Sequence, residues 1–475
     1  MTDAHRNVLI GLRLVASGAL LALGSCGTTG TRDGIGTTVV VPVGWQHGAS
    51  SRKTLDTAGL EKWWKRFKDP VLDELIAGSL RSSPDVRTAL SKVAEYRARR
   101  GVEKAALFPT LTGNASGSGT RTKNRETNLT TTSESYRASL DAGWQVDLFG
   151  MQRQTLHAAS ADLAQTEEKY YGAEVTLAAE VASAYVILRS AEAQLAVVRH
   201  SLGTRRETVQ LTRWREQAGT GNALDTQQSI STLEQARASI PTLQLTISQT
   251  RNQLALLAGR TPGSLDSLLS TPRNVPALPA NIAIGIPAET LRQRPDVRAA
   301  ERGVEAAFAR TNAARRQRLP SFNLTGSLGM EALKAGHLLS PEITVASLLG
   351  SLSAPIFDAG RIKQNIVIQS QLEKQALIAY ESTVLTALSE VENALVGGQR
   401  HAERLEILTR ATAAAREAAT MAALQYKAGQ VDLFVSLEAQ RTLLSLEQQE
   451  VTTRADRASA CIQLYKALGG GWSRH

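Results

Sequence analysis

Two stretches, Met151–Ala218 and Arg361–Ala428, limit what this chain can fold into more than any other feature. Each runs 68 residues without a proline and is bounded by glycines, Gly150 and Gly219 for the first, Gly360 and Gly429 for the second. A helix of that length reaches about 100 Å at 1.5 Å per residue. Ordinary globular helices average only ~11–12 residues. The apolar residues keep a beat of seven. Leu156, Leu163, Tyr170, Leu177, Ala184, Ala191 and Val198 form one column, and Val181, Leu188, Leu195 and Leu202 a second. The other stretch carries Leu377, Val384 and Val391 with Leu388 and Leu395. Such a beat keeps an apolar seam facing a neighbouring helix and imposes a left-handed supercoil. Both stretches read as coiled-coil struts.

Aromatic residues make up 4% of the chain, as suits long helices packed through Ala, Leu and Val. The formal charge of +10 is spread along the helical stretches with acids interleaved. No aromatic-plus-basic motif accompanies it, which argues against nucleic acid as a partner. Residues 1–25 read as an export signal, with Arg6 and Arg13 ahead of an apolar run, Leu14–Leu23. That run is too short to span a bilayer as a stable anchor. It ends in Leu23-Gly24-Ser25-Cys26, which resembles the lipobox of bacterial lipoproteins, so Cys26 is the expected lipidation site. Gly27 after the cysteine implies outer-membrane sorting within that class. A lipidated Cys26 leaves Cys461 without an intramolecular partner. Beyond residue 25 no run of 18 apolar residues occurs, so a membrane is expected to be crossed by strands.

Taken in order, residues 26–60 read as a lipidated tether, and Glu61–Leu80 as a first amphipathic helix. A second helix starts near Pro84 and stops before Pro109. The period then changes from 3.6 to 2. In Tyr136–Val146 the even positions are Tyr, Ala, Leu, Ala, Trp and Val, and the odd ones are polar or Gly. Leu111–Gly119 alternates likewise. One apolar and one polar face over about ten residues is the pattern of a membrane strand with a wet interior. Arg121–Ser135 reads as the outward loop of a hairpin covering about 110–147. The long helix follows, then the Gly219-Thr220-Gly221 turn and a return helix, 223–258, that Pro241 should kink. Residues 261–287 hold five prolines and read as a connector.

The order then repeats, so 61–260 and 288–471 read as two copies of one unit. Pro84-Asp85-Val86-Arg87 recurs 211 residues on as Pro295-Asp296-Val297-Arg298, and Asp147 as Asp358. Gly219 recurs as Gly429 after 210 residues. A second hairpin, about 320–357, precedes the long helix 361–428 and a return helix 433–468; residues 472–475 are a tail. Four strands cannot close a barrel, and an open edge is not tolerated in lipid. Small barrels need about eight strands, so copies are required; a wet interior with room for cargo favours three, or twelve strands.

At this point the whole mature chain resembles the outer-membrane factor family, the TolC-like exit ducts of tripartite efflux pumps, and in particular its lipoprotein branch. The residues that carry the resemblance are Trp63-Trp64 with Phe67, Asp69, Pro70 and Leu72; the repeated Pro-Asp-Val-Arg; Trp144 through Gly150; Ala428-Gly429 with Leu437 through Gln440; and Leu464 through Trp472. The resemblance implies a mainly helical fold with a membrane β-barrel of four strands per chain, trimeric and twelve-stranded, continuous with a coiled-coil barrel. It implies a passive, non-enzymatic channel for small toxic compounds, shut at the periplasmic tip, with a lipid on Cys26 and no other cofactor. It also implies a periplasmic adaptor and an inner-membrane pump of the resistance-nodulation-division type. The tip turns that would meet the adaptor are Gly219, Thr220 and Gly221, and Gly429 and Gln430. Glu438 stands where relatives place an aspartate and Asp432 lies near another acidic position, so both are candidates for the aperture. Val431 stands where some relatives carry a gating arginine. Asn222 with Asp225, and Asp432, read equally well as helix N-caps.

Other readings are weaker. The seven histidines are scattered, with no H-E-x-x-H, no cysteine-pair metal spacing and no Walker loop. A structural coiled-coil lipoprotein would not need two alternating hairpins beside prolines. A protein-secretion channel would share the architecture. Arg97, Arg99 and Arg100, and Arg310, Arg315, Arg316 and Arg318, sit near helix C-termini, where they oppose the helix dipole.

Overall fold

The computed structural model describes residues 40–47, 60–278, 287–334, 337 and 343–472. Cys26 and the expected signal peptide lie outside them. A 3-10 turn, Trp63–Phe67, leads to α1 (Pro70–Ser82) and α2 (Pro84–Ala105). The expected single helix from Glu61 is therefore broken. Lys68 turns left-handed at φ 52°, and the Asp69 carboxylate accepts the N–H groups of Val71 and Leu72, starting α1 at Pro70. Strands β1 (Thr110–Lys123) and β2 (Thr130–Val146) follow, then α3 (Met151–Gln217) and α4 (Ala223–Leu257). After the short α5 (Asp266–Leu269) the order repeats. It runs through α6 (Pro287–Gln293), α7 (Pro295–Arg316), β3 (Ser321–Ala332), β4 (Ile343–Ser353), α8 (Arg361–Lys427) and α9 (Leu433–Ala467). Helix α4 runs on through Pro241. The hairpin strands extend into the expected loop, leaving only residues 124–129 between them.

Helix α3 is the spine. Its first half packs between α2 and α7, and its second half between α4 and α9; α8 covers α7 and then α9. This explains how the heptad columns are used. From Leu177 to Leu202 they are buried, whereas Leu156, Leu163 and Tyr170 are only half-buried. From Met151 to Tyr170 the buried α3 positions are Ala158, Ala161, Thr166 and Glu168, which fit a helix wedged between two others. An 18-residue window of α3 has a mean hydropathy of 1.3, enough by length and composition to cross a membrane, although polar residues interrupt it and it is no continuous apolar run. Two thirds of it (67%) is buried within the chain, so its apolar character serves helix packing.

The core sits at a waist where the segment from Leu60 to Ile76 meets the end of α9. Trp63 stacks on Tyr465 with ring centroids 5.1 Å apart and planes 11° apart, and Phe67, Leu72, Ile76, Leu188, Ile462 and Leu468 close around the pair. The Gly471 N–H donates to Leu60 O (3.0 Å). A polar chain is folded into this core. Tyr185 donates to Asp69 (2.6 Å), and the fully buried Arg189 lies over the Tyr185 ring, donating to Glu192 (2.5 Å) and to Thr271 O (3.1 Å). Arg251 meets the other Glu192 oxygen at 3.1 Å and Leu269 O at 3.2 Å. Burial, then the Asp69 hydrogen bond, hold the Tyr185 phenol above its usual pKa. Removing Glu192 would strand the fully buried Arg189, the costly case for interior ion pairs. Cys461 is free and buried, its thiol pushed up to about 12 by burial.

Candidate functional site

The four strands form one antiparallel sheet in the order β1-β2-β3-β4, so among the described residues β1 and β4 each have one outer edge unpaired. Register makes the two faces distinct. Leu140 stands between Gly113 and Leu328, Trp144 pairs with Leu324, and Val146 with Phe322, which in turn meets Leu352. Of the outward-facing side chains, Leu140 (51% exposed), Leu328 (57%) and Leu348 (77%) are bare among the described residues, whereas Trp144, nearer the helices, is half-buried and donates its Nε1–H to Leu107 O (3.0 Å). The opposite face is polar and internally bonded. Asn114 Nδ2 donates to Asp141 Oδ2 (2.6 Å), Ser139 Oγ donates to the same oxygen (3.0 Å), and Ser135 Oγ donates to Glu331 (3.0 Å). Only β4 breaks the alternation, placing Leu349 opposite Thr325.

Sheet passes to helix through the repeated aspartates. The Asp147 carboxylate accepts the N–H groups of Gln152 (3.2 Å) and Arg153 (2.9 Å), and Asp358 accepts those of Gly360 (2.9 Å) and Ile362 (2.7 Å). Each thus satisfies orphan donors at the start of a 67-residue helix. The bond from Ile362 holds the Asp358 carboxyl below its usual range. Several of the basic residues near here make specific contacts as well as opposing a dipole. Arg316 donates to Gly150 O (2.6 Å), Arg310 pairs with Asp162, and Arg100 donates to Ser160 (3.0 Å). Higher on α7, Arg298 pairs with Glu168, and Arg294 reaches Glu390 (2.6 Å). These bonds clamp α7 to both long helices.

At the far end each helix pair turns through a glycine. Gly219 (φ 72°) and Gly429 (φ 73°) adopt the left-handed conformation that closes a helix C-terminus, letting the Thr220 N–H reach Arg215 O (2.9 Å) and the Gln430 N–H reach Gln425 O (2.9 Å). Nothing lies within 4 Å of where a Cβ would stand at either glycine, so backbone conformation, not space, selects them. Thr220, Gly429 and Gln430 are exposed, and Gly221 is half-buried. The candidate caps divide. Asn222 Oδ1 accepts the Asp225 N–H (2.8 Å), whereas the exposed Asp432 makes no side-chain cap bond. Glu438 is paired on its own helix with Arg441 (2.8 Å), which partly offsets its charge.

Arg215, which sequence reasoning passed over, joins the two turns. Its Nη2 donates to Tyr426 O (2.7 Å) and Lys427 O (3.3 Å), the last carbonyls of α8, and its guanidinium lies 4.4 Å from the Tyr426 ring centroid. Deeper in, Gln440 Nε2 donates to Thr208 Oγ1 (3.1 Å), tying α9 to α3. The only signal in the sequence was position, since Arg215 and Tyr426 fall four and three residues before the matching glycines.

Comparison with known proteins agrees with this geometry. The family model described as outer membrane efflux protein matches residues 75–260 and 286–470, one match per repeat. The probable efflux pump outer membrane protein TtgC of Pseudomonas putida KT2440 is 31% identical over 439 residues, covering 90% of this chain and 89% of the relative. The solvent efflux pump outer membrane protein SrpC of P. putida is also 31% identical over 439 residues, covering 91% and 92%. The solved outer-membrane channel OprN superposes with a TM-score of 0.86 at 32% identity, covering 92% of this chain and 98% of that one. With a duplicated helix–hairpin–helix unit, a two-faced sheet and glycine-turned helix pairs matched along nearly its full length, this chain belongs to the outer membrane efflux protein family.

Proposed function

We propose that the protein is the passive, non-enzymatic exit duct of a tripartite pump, working as a homotrimer. The observation that carries this is the sheet, with one bare apolar face, one bonded polar face and both edges open. Lipid accepts such a sheet only when its edges are closed, and three copies close twelve strands around a wet bore. The long helices then extend the bore about 100 Å from the membrane. Native mass determination in detergent is expected to show three chains; a monomer would refute the assembly.

The tip turns, Gly219–Gly221 and Gly429–Gln430, are the surface for a periplasmic adaptor, which links the duct to an inner-membrane pump of the resistance-nodulation-division type. The names of relatives point to solvents and small toxic organic compounds as cargo. Asp432 is the stronger aperture candidate, as an exposed carboxylate without a cap bond; Glu438 shares its helix but is offset by Arg441. Carboxylates gathered around an axis attract cations. Replacing Asp432 and Glu438 together with Ala should therefore weaken cation selectivity in planar-bilayer recordings. Wild-type selectivity in that variant would assign the aperture elsewhere.

Cys26 carries the only covalent group we propose, a lipid that holds the mature N-terminus in the outer membrane; no metal or other cofactor is needed. Cys26→Ser should abolish incorporation of labelled palmitate. Unchanged labelling would overturn the assignment.

A further inference from the structure

The four joins between sheet and helix lie at one level. Trp144 Nε1 donates to Leu107 O (3.0 Å), Arg316 to Gly150 O (2.6 Å), and Asn365 Nδ2 to Gln317 Oε1 (2.9 Å), so each join is bonded to the next. Basic charge that is spread along the sequence is gathered here by the fold. Residues 95–108, 147–153, 314–321 and 354–363, which make up this collar, hold ten Lys or Arg against four Asp or Glu. The difference, +6, is more than half of the formal +10, on 39 of 475 residues.

Three of the four acids are already engaged. Asp147 and Asp358 cap α3 and α8, and Glu95 pairs with Arg99 (2.7 Å). Lys104, Arg315, Arg318 and Lys363 are exposed, with no carboxylate partner among the described residues. Opposition to a helix dipole accounts for cations at the ends of α2 and α7. It does not account for Lys363, nor for Arg153 and Arg361. These stand in the first turns of α8 and α3, where the dipole favours anions and neither helix supplies an acid. Beside the cations, large apolar side chains are bare: Phe108, Leu148, Ile356 (99% exposed) and Phe357 (90%). Water would leave these side chains unserved, and hydrocarbon alone would leave the cations unserved. A phospholipid offers both, a phosphate beside its acyl chains.

We propose that the collar binds the headgroups of anionic glycerophospholipids in the leaflet that faces the helices, through Lys104, Arg315, Arg318 and Lys363. Clustered Lys and Arg beside a bilayer attract such headgroups over a Debye length. This rests on the exit-duct reading and adds the lipid class that seats the duct in its bilayer.

Spin-labelled lipids test it, with the full-length protein reconstituted in phosphatidylcholine vesicles. The motionally restricted fraction of labelled phosphatidylglycerol is compared with that of labelled phosphatidylcholine. The wild type should select phosphatidylglycerol about threefold or more at about 0.1 M salt. It should lose that selection near 1 M salt, where the Debye length shrinks from about 10 Å to about 3 Å. Lys104→Gln, Arg315→Gln, Arg318→Gln and Lys363→Gln combined should cut the selection at least twofold. Arg199→Gln, Arg206→Gln, Arg213→Gln and Arg404→Gln combined remove the same charge from exposed positions more than about 60 Å along the long helices, and should leave it unchanged. The proposal is overturned by a wild type without selection, or by a collar variant that loses no more than the distal one. It is also overturned if inorganic phosphate abolishes selection at constant ionic strength, which would mark a site for a free anion. The wild-type measurements decide the case if the collar variant does not fold. Failure of the duct reading is seen separately, as a wild-type protein that forms no pores in planar bilayers whatever lipid it selects.

Discussion

Arginine at position 328 is expected to abolish the assembled protein in the outer membrane. Leu328 stands mid-sheet on the bare apolar face, opposite Leu140 on one side and Ala346 on the other. An arginine facing lipid near the bilayer midplane costs about 2–4 kcal/mol. In a trimer every copy bears it, so the total reaches about 6–12 kcal/mol, comparable to the whole stability of a typical folded domain. The control lies three residues away. Thr325 is exposed on the polar face, opposite Gly143, where an arginine would meet the aqueous bore. Quantifying oligomer in outer-membrane fractions should show at least a tenfold loss for Leu328→Arg and less than a twofold change for Thr325→Arg. Equal losses would mean that the two faces are not lipid and water.

The second large effect is expected at Arg215. Hydrogen bonds from a charged donor contribute about 1.5–3 kcal/mol each, and a cation over an aromatic ring about 0.5–2 kcal/mol. Solvent screening at a half-exposed tip reduces both. A net of about 2 kcal/mol per chain is a reasonable order, and each 1.4 kcal/mol is a factor of ten in an equilibrium. Arg215→Ala should therefore raise resting conductance in planar bilayers at least tenfold. Arg215→Lys, which keeps the charge without the planar fork, should fall between. Resting conductance that does not move in Arg215→Ala would reduce the contact to a cap on the end of α8.

What the sequence disclosed depended on how local each cause was. A seven-residue beat between two glycines belongs to its own segment, so both long helices were legible. The alternation in Tyr136–Val146 was legible for the same reason. Thr130–Ser135 was not, because a strand that leaves the apolar band is polar on both faces and looks like loop, although register carries it to Lys123. Asp147 and Asp358 were visible only as matching landmarks; their work as helix caps needed coordinates. At the tip, Asn222 and Asp432 had the same local look, yet only Asn222 caps. Arg215 went unnoticed because a cation in a last helical turn is commonplace, and its true partner lies 211 residues away. The buried Arg189–Glu192–Arg251 chain was hidden likewise, since its third member comes from another helix 59 residues from Glu192.

The stack of Trp63 on Tyr465 also orders events in time. Contacts between residues so distant in sequence are late to form, because the intervening loop must be closed before they repay anything. The Trp63–Phe67 turn therefore waits for α9, and the centre of the waist stays unfilled until Tyr465 has been made. A chain that stops short of Tyr465 still owns both hairpins, both long helices and both tip turns, yet lacks the ring against which Trp63 packs. The presence of α9 is thus checked at the waist, far from the membrane sheet and far from the tip.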